Sequence, residues 1–299
     1  MTLTTSAGAL SRWRAWVLAA RPATLTAALV PVAVGSATAW RAEAFAPRVA
    51  LIALAAALLI QIGTNFANDV FDFESGADTA ERLGPARATQ TGLIEPHHMR
   101  RAIIVTFGLA SLLGVFLIAR GGWPIAALGV LSLFAGYAYT APPFRLGYRG
   151  WGDVLVFLFF GVFAVAGTHY VETLSLSPLV VAASLAVGCT ATAILVVNNL
   201  RDLATDRAAG KRTLAVRLGE RATRRYFAVL LAAAYAPPLA FALGEGPGAW
   251  LVFLSAPWAW KLVQMVARGA RGVELNAALI RCARLHAAFG LLWAAGLCL

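Results

Sequence analysis

Carboxylate side chains are concentrated in two short segments of the sequence. Six of the chain's 14 Asp and Glu residues lie within 61–78, QIGTNFANDVFDFESGAD, or 198–211, NNLRDLATDRAAGK. Acidic residues are costly beside apolar sequence of the kind that surrounds both segments, which indicates a site rather than a surface. Mg²⁺ prefers a few carboxylates together with phosphate oxygens. We therefore predict a Mg²⁺ site where these two stretches, the first and second acidic segments, face each other.

The first acidic segment has the spacing of one helical face. Gln61, Asn65, Asn68, Asp69 and Asp72 lie at i, i+4, i+7, i+8 and i+11. Because lipid satisfies neither amides nor carboxylates, this polar stripe should face the interior of a helical bundle. A hydrogen-bond network between helices is the alternative, but the stripe is more acidic than such a network requires. The metal ligands that we predict in this segment are Asn68, Asp69, Asp72 and, after Gly76, Asp78.

The second acidic segment follows the same logic. Asn198, Asp202 and Asp206 lie at i, i+4 and i+8, and we predict all three as metal ligands. Arg201 and Lys211 lie among them and could bind phosphate oxygens, which carboxylates alone would repel. The alternative is a solvated loop whose basic residues set the membrane topology. It explains the arginines that follow the segment better than it explains the two aspartates.

Other residues could contact a substrate bound near the two acidic segments. The stretch 137–153, YAYTAPPFRLGYRGWGD, contains Tyr139 and Arg145 around a Pro-Pro pair that ends a helix. Arg21 lies within the first apolar stretch, where an arginine needs a partner or a water-filled cavity. Interfacial aromatic residues and snorkelling arginines are the alternative for all three.

The composition places these segments in a membrane protein. Hydrophobic residues make up 60% of the chain, charged residues 13%, and the mean hydropathy is +0.73. Soluble domains are about half apolar and about a quarter charged. We predict an all-α polytopic membrane protein with nine transmembrane helices, at 15–40, 47–70, 99–119, 123–141, 151–171, 178–200, 222–243, 247–267 and 279–298.

The basic residues predict an orientation. With these spans, 21 of the 25 Lys and Arg residues fall on one side and three on the other, with Arg21 inside the first span. The positive-inside rule then gives a multi-pass protein of the inner (cytoplasmic) membrane with a cytoplasmic N-terminus and an external C-terminus. Both acidic segments lie on the cytoplasmic side. In this assignment the net charge of +11 comes from basic residues that set the membrane orientation, and we predict no nucleic-acid partner. We predict one transmembrane domain, 1–299, with acidic motifs at 65–78 and 198–211.

Three strings of the sequence resemble the UbiA superfamily of intramembrane prenyltransferases. They are the Arg-Pro-x-Thr-Leu run from Arg21 to Leu25, NDVFDFESGAD with the following RLGPARATQTGLI, and NNLRDLATDRAAGKRTLAVRLG. The resemblance covers nearly the whole chain, and it is strongest to the menaquinone-pathway branch. The general pattern NDxxDxxxD would place an Asp at position 76, where this chain has Gly76 and then Asp78, the shifted form typical of that branch.

The resemblance implies a fold and a reaction. The fold would be a nine-helix bundle with cytoplasmic cap loops, embedded in the lipid bilayer. The catalytic residues would be Asp69, Asp72, Asp202 and Asp206, which with the flanking Asn68 would hold two Mg²⁺ ions against a polyprenyl diphosphate. The acceptor would be 1,4-dihydroxy-2-naphthoate, which loses CO₂ to give demethylmenaquinone. The substrate-binding residues that we predict are Arg21, Asn65, Tyr139, Arg145, Asn199, Arg201 and Lys211.

Three other functions remain open at this point. A sister enzyme would use 4-hydroxybenzoate, homogentisate or haem as the acceptor. A secondary transporter also keeps carboxylates at broken helices, but it would place them near the membrane midplane. A scaffold without catalytic activity would have no need of two acidic stripes.

Overall fold

The structure, a computed structural model, describes residues 12–77, 83–244 and 246–299, and helices are the only regular elements in these residues. Their bounds are α1 Arg12–Ala20, α2 Thr26–Arg41, α3 Pro47–Glu74, α4 Pro96–Ala138, α5 Gly152–Thr173, α6 Pro178–Arg201, α7 Leu203–Ala208, α8 Leu214–Gly244, α9 Pro247–Ala267 and α10 Glu274–Leu297. A 3₁₀ turn, Pro22–Thr24, separates α1 from α2, and α9 begins with 3₁₀ geometry.

Proline marks the start of four of these helices. Pro47, Pro96, Pro178 and Pro247 lie in the first turns of α3, α4, α6 and α9. In the first turn of a helix a backbone N–H has no partner within the helix, so proline, which lacks this group, loses no hydrogen bond there. Its fixed φ also suits a helix. The start of α6 is also capped, because the Ser177 hydroxyl accepts a hydrogen bond from the Val180 N–H at 3.3 Å. The sequence therefore specifies these starts locally.

The prediction of an all-helical membrane protein is confirmed. Within the described residues, seven helices are long and apolar enough to cross a membrane, and α1 with α2, bent by 48°, makes an eighth span if the pair is counted as one. The break between the predicted spans 99–119 and 123–141 lies inside α4, where Gly122 has φ 69° and ψ −155°. The count of nine spans stays a prediction.

The first span is not the continuous helix that the sequence predicted over 15–40. Arg21 has a φ of 52°, in the left-handed region, and Pro22 follows it. A left-handed residue before a proline interrupts the helical hydrogen-bond ladder, so α1 and α2 point in different directions. The break exposes backbone polar groups, which must find partners on neighbouring helices.

The central helix of the bundle is α6. Two-thirds of its most apolar stretch is buried, and its residues form the main core with α2, α8, α9 and α10. On its other side it packs tightly against α5. A Cβ added at Gly161 of α5 would lie 2.3 Å from the Gly188 Cα of α6, so the two backbones touch through glycine. Gly161 belongs to a π-helical stretch, Phe157–Val162, which widens α5 at this contact.

Candidate active site

A single large cavity brings the polar stripe and the second acidic segment together. Its volume is about 1150 Å³, and helices α1 to α7 and α10 contribute to its walls. The carboxylates of Asp72 and Asp206 come together at one place in this wall, and most of the other lining residues are apolar. The predicted site residues that line it are Arg21, Asn65, Asn68, Asp72, Tyr139, Asn198, Asn199, Arg201, Asp202, Asp206 and Lys211. Asp69 and Arg145 are not among the described residues that line it, and Asp78 lies outside the described residues.

In the first acidic segment, Asn68 and Asp72 present oxygen atoms to the cavity. The Thr140 hydroxyl donates a hydrogen bond to Asn68 Oδ1 at 3.0 Å. Asp72 is 5% exposed, and its Oδ1 accepts a hydrogen bond of 2.6 Å from the Tyr148 hydroxyl. Its Oδ2 lies 3.1 Å from Nη2 of Arg87. Both carboxylate oxygens are therefore oriented by residues from two loops.

In the second acidic segment, Arg201 organises its neighbours. Its guanidinium donates to both carboxylate oxygens of Asp202, at 2.7 and 2.6 Å. It also donates to the Asn198 side-chain oxygen at 2.9 Å and to the Asn276 side-chain oxygen of α10 at 3.0 Å. Arg201 is 3% exposed, so these charge-assisted contacts are shielded from water.

Lys211 joins the two segments. Its Nζ lies 3.8 Å from Oδ1 of Asp72 and 3.8 Å from Oδ1 of Asp206. The same ammonium lies 4.4 Å from the centre of the Tyr148 ring, within the range of a cation–π contact. Burial raises the pKa of Asp206 to about 6, and the charge of Lys211 opposes that rise. The two acidic segments thus meet as predicted, with one lysine between them.

Asp69 contacts the loop after α3 and is not among the described residues that line the cavity. Its two oxygens accept hydrogen bonds from the backbone N–H groups of Thr89, at 2.9 Å, and Ala88, at 3.2 Å. It is 1% exposed. These contacts tie α3 to the loop that leads into α4, so the structure gives Asp69 surroundings different from those of Asp72.

The broken first span is supported by the polar stripe of α3. The Asn65 amide donates to the Ala20 carbonyl and to the Thr24 hydroxyl, each at 2.9 Å. Gln61 donates to the same hydroxyl at 3.2 Å. Asn65 and Gln61 thus bond the break itself, which holds Arg21 at the cavity wall.

Tyr139 and Arg145 differ in their surroundings. The Tyr139 ring is held between two glycines: a Cβ on Gly147 would lie 2.8 Å from its Cε1, and one on Gly152 would lie 2.8 Å from its hydroxyl. Burial raises the pKa of Tyr139, and nearby carboxylates add to the rise. Arg145 has a φ of 45° and places its guanidinium 5.8 Å from the ring centre of Tyr148, a residue of the cavity wall, although Arg145 is not itself among the described lining residues.

Three lining residues that bond to Asn68 or Asp72 were not predicted as site residues from the sequence: Arg87, Thr140 and Tyr148. All three lie in loops within strings that the sequence analysis singled out. Loops have no side-chain periodicity that would show which residues face a site. The available signal was that these hydroxyl and guanidinium side chains belong to strings near an acidic motif or a predicted site residue. Their contacts with Asn68 and Asp72 span 15 to 76 positions of the sequence, which spacing rules do not cover.

The oxygen donors at the polar end suit Mg²⁺. Asn68, Asp72, Asp202 and Asp206 offer amide and carboxylate oxygens, the hard ligands that this ion selects. Lys211, Arg87 and Arg201 lie among them, so an anion with several oxygen atoms can be bound at the same place.

The apolar part of the cavity has aromatic walls and two open glycine positions. Its wall contains aromatic residues from α5, and the rings of Phe159 and Phe163 are 5.2 Å apart in an edge-to-face arrangement. Gly114 and Gly129, on the two arms of α4, also line it, and no described atom lies within 4 Å of a Cβ built on either. The wall therefore has open space at these two points.

Comparisons with known proteins identify relatives of this chain. The model of the UbiA prenyltransferase family matches residues 28–286. A relative from Escherichia coli (strain K12), named 1,4-dihydroxy-2-naphthoate octaprenyltransferase, is 41% identical over 267 residues, which cover 87% of each chain. One of the same name from Mycobacterium tuberculosis (strain ATCC 25618 / H37Rv) is 36% identical and covers 87% of this chain and 88% of its own.

Solved structures show the same fold. A UbiA homolog from Aeropyrum pernix K1 aligns with a TM-score of 0.68 at 18% identity, over 91% of this chain and 96% of that one. A UbiA homolog from Archaeoglobus fulgidus bound to DMAPP and Mg²⁺ aligns with a TM-score of 0.63 at 15% identity, over 92% and 97%. The match of the family model over residues 28–286, with the two relatives above, shows that the chain belongs to the UbiA prenyltransferase family.

Proposed function

We propose that the protein transfers a polyprenyl group from polyprenyl diphosphate to 1,4-dihydroxy-2-naphthoate. The observation that carries this proposal is the cavity, in which both acidic segments meet at one end of an apolar channel. A diphosphate with a long hydrocarbon tail has the same division into polar and apolar parts. The names of the E. coli and M. tuberculosis relatives support the choice of acceptor.

The polar end would hold the diphosphate. Asn68, Asp72, Asn198, Asp202 and Asp206 would bind Mg²⁺, with two ions as the expected number; Mg²⁺ would neutralise the charge of the leaving diphosphate. Arg87 and Lys211 would contact phosphate oxygens directly. Asp78, for which no contact is described, stays a predicted ligand.

The apolar channel would hold the tail and protect the reacting carbon. As the allylic C–O bond breaks, positive charge develops on that carbon, and the faces of Phe159 and Phe163 can stabilise it. The apolar wall excludes water, which would otherwise capture the cation as an alcohol.

The acceptor would lie where the polar and apolar walls meet. Tyr139, Asn199 and Asn65 line this part of the cavity and can orient the ring hydroxyls, while Arg21 can pair with the acceptor carboxylate. The new C–C bond forms at the ring carbon that bears the carboxylate, and the bond to the departing CO₂ breaks. The direct product is the hydroquinone form of demethylmenaquinone, so no oxidant is needed.

The polar end would face the cytoplasm, where charged substrates are made. We infer nine spans by counting α1 with α2 as one and the two arms of α4 as two. The 43 residues of α4 amount to about 65 Å of helix, roughly twice the thickness of the hydrocarbon core, and Gly122 divides them into two arms. The N-terminus would then be cytoplasmic and the C-terminus external, within one transmembrane domain whose loops cap the site.

A turnover assay tests the proposal. Purified protein in detergent would be given Mg²⁺, radiolabelled polyprenyl diphosphate and 1,4-dihydroxy-2-naphthoate, and the organic extract would be analysed by mass spectrometry. We expect the prenylated naphthohydroquinone, and EDTA should abolish it. Formation of prenyl alcohol alone would show diphosphate cleavage without transfer and would contradict the proposal.

A further inference from the structure

The loop between α3 and α4 is bound to α3 through Asp69. Both oxygens of this carboxylate accept backbone hydrogen bonds, from Thr89 N–H to Oδ1 and from Ala88 N–H to Oδ2. A carboxylate with two N–H donors is well satisfied, and its burial to 1% exposure makes these bonds hard to replace with water.

The same loop, residues 83–95, is anchored elsewhere as well. Asn276 of α10 donates to the Leu83 carbonyl at 2.9 Å and accepts from Arg201 at 3.0 Å. Ala88 and Ile94 are buried in a core cluster with residues of α3 and α4. The loop is therefore packed like an element of the fold, and the Asp69 contacts tie its backbone to the helix that carries Asp72.

Arg87 directly precedes the two residues that Asp69 holds. Its guanidinium lines the cavity, and its Nη2 lies 3.1 Å from Asp72 Oδ2. Asp69 and Asp72 are three residues apart, so they lie on neighbouring turns of one helical face. One carboxylate thus holds the backbone beside Arg87 while the other contacts its side chain.

We propose that Asp69 is a positioning residue that fixes Arg87 in the diphosphate end of the cavity, and that it is not a metal ligand. This inference rests on the proposed function, because it assigns Arg87 to the diphosphate. It replaces the metal role that the sequence predicted for Asp69. An Asn at this position keeps one acceptor oxygen but turns an NH₂ donor toward a second donor, so one of the two loop bonds is lost.

Steady-state kinetics separate the two roles. We expect Asp69→Asn to raise the KM for polyprenyl diphosphate about tenfold, and to leave the half-saturating Mg²⁺ concentration within about twofold of the wild-type value. Asp72→Asn should raise that Mg²⁺ concentration by about tenfold or more. Glu74→Gln is the matched control, since this nearby carboxylate pairs with Arg100 at 2.7 Å outside the cavity, and it should change neither quantity. An Asp69→Asn variant with the Mg²⁺ shift of Asp72→Asn would overturn the inference.

A double-mutant cycle tests whether Asp69 acts through Arg87. If it does, Arg87→Ala and Asp69→Asn should each raise the KM, and the double variant should raise it no further than the larger single effect. Effects that multiply would show that the two residues act independently, which contradicts the positioning role.

Two further measurements test the tether: the first does not rely on turnover, and the second does not rely on a variant of Asp69. Amide hydrogen exchange of peptides covering 83–95 should be faster in Asp69→Asn than in the wild type, even if the acceptor or reaction proposed above is wrong. Thr89→Pro removes a donated N–H and leaves the Asp69 carboxylate whole, and it should raise the KM as Asp69→Asn does. Unchanged exchange, or a Thr89→Pro variant with wild-type KM, would refute the tether.

Discussion

The Lys211 ammonium lies 3.8 Å from Oδ1 of Asp72, which brings the second acidic segment against the first. The same nitrogen lies 3.8 Å from Asp206, so one cation stands between carboxylates of two helices. A phosphate group that entered with Mg²⁺ would find both a metal-binding oxygen set and a donor at this point.

Lys211→Met should therefore weaken diphosphate binding. Methionine keeps much of the apolar stem but removes the charge, and a hydrogen bond to a charged group contributes about 1.5–3 kcal/mol. A loss of this free energy corresponds to a rise of at least about tenfold in the KM for polyprenyl diphosphate, which is the result that we expect. Lys261→Met, at an exposed position of α9, is the control. A variant at position 211 with wild-type KM and kcat would exclude Lys211 from the phosphate site.

Tyr148→Phe tests the orientation of Asp72. The ring stays under Lys211, but the 2.6 Å hydrogen bond to Asp72 is lost. Groups that orient a metal ligand typically contribute about 10- to 100-fold to metal affinity or activity. We expect a higher half-saturating Mg²⁺ concentration, measured by titration of turnover, while Tyr137→Phe should match the wild type because Tyr137 is exposed. An unchanged Mg²⁺ titration for Tyr148→Phe would show that this hydroxyl does not orient a ligand.

Bulk in the apolar channel should shorten the accepted tail. Gly114→Phe and Gly129→Phe each add a side chain where no described atom lies within 4 Å of the new Cβ, so the ring can enter the cavity without displacing the helix. We expect kcat/KM to fall for long polyprenyl diphosphates and to change little for geranyl diphosphate. Gly108→Phe is the control on the same helix, with equal space but outside the cavity wall. An equal fall for short and long donors would place the tail elsewhere.

Gly161→Ala should destabilise the bundle. The new Cβ would meet the Gly188 backbone of α6 at 2.3 Å, and neither helix can yield by rotating a side chain. Overpacking of this kind costs about 1–3 kcal/mol. Thermal unfolding in detergent should show a lower midpoint, whereas Gly108→Ala, with no described atom within 4 Å of its Cβ, should not lower it. A midpoint at or above the wild-type value would contradict the close packing of α5 on α6.

Helical spacing was enough to place the polar stripe on one face, but it could not separate Asp69 from Asp72. Both lie on the face predicted to point inward, and they differ in what packs against them. Asp69 meets the backbone of residues that follow it by about twenty positions, and Asp72 meets the cavity. Such non-local contacts depend on the whole fold, which periodicity along one helix does not encode.

Loop geometry explains the other differences. Arg145 was predicted to bind substrate; in the structure its guanidinium lies against the ring of Tyr148, which lines the cavity, and Arg145 is not among the described lining residues. The break at Arg21 follows from a left-handed φ that a non-glycine residue seldom adopts, and its support comes from Asn65, on another helix. Sequence patterns predict regular elements well, whereas these two arginines depend on tertiary contacts.

Release of labelled CO₂ tests the central claim most directly. The purified protein, with Mg²⁺ and polyprenyl diphosphate, would be given carboxyl-labelled 1,4-dihydroxy-2-naphthoate or, in parallel, carboxyl-labelled 4-hydroxybenzoate. We predict one equivalent of labelled CO₂ for each prenylated naphthohydroquinone formed, no product from the benzoate, and no release with EDTA. A prenylated benzoate that retains its label would contradict the naphthoate assignment, and an absence of product from both acceptors would contradict aromatic prenyl transfer to either class.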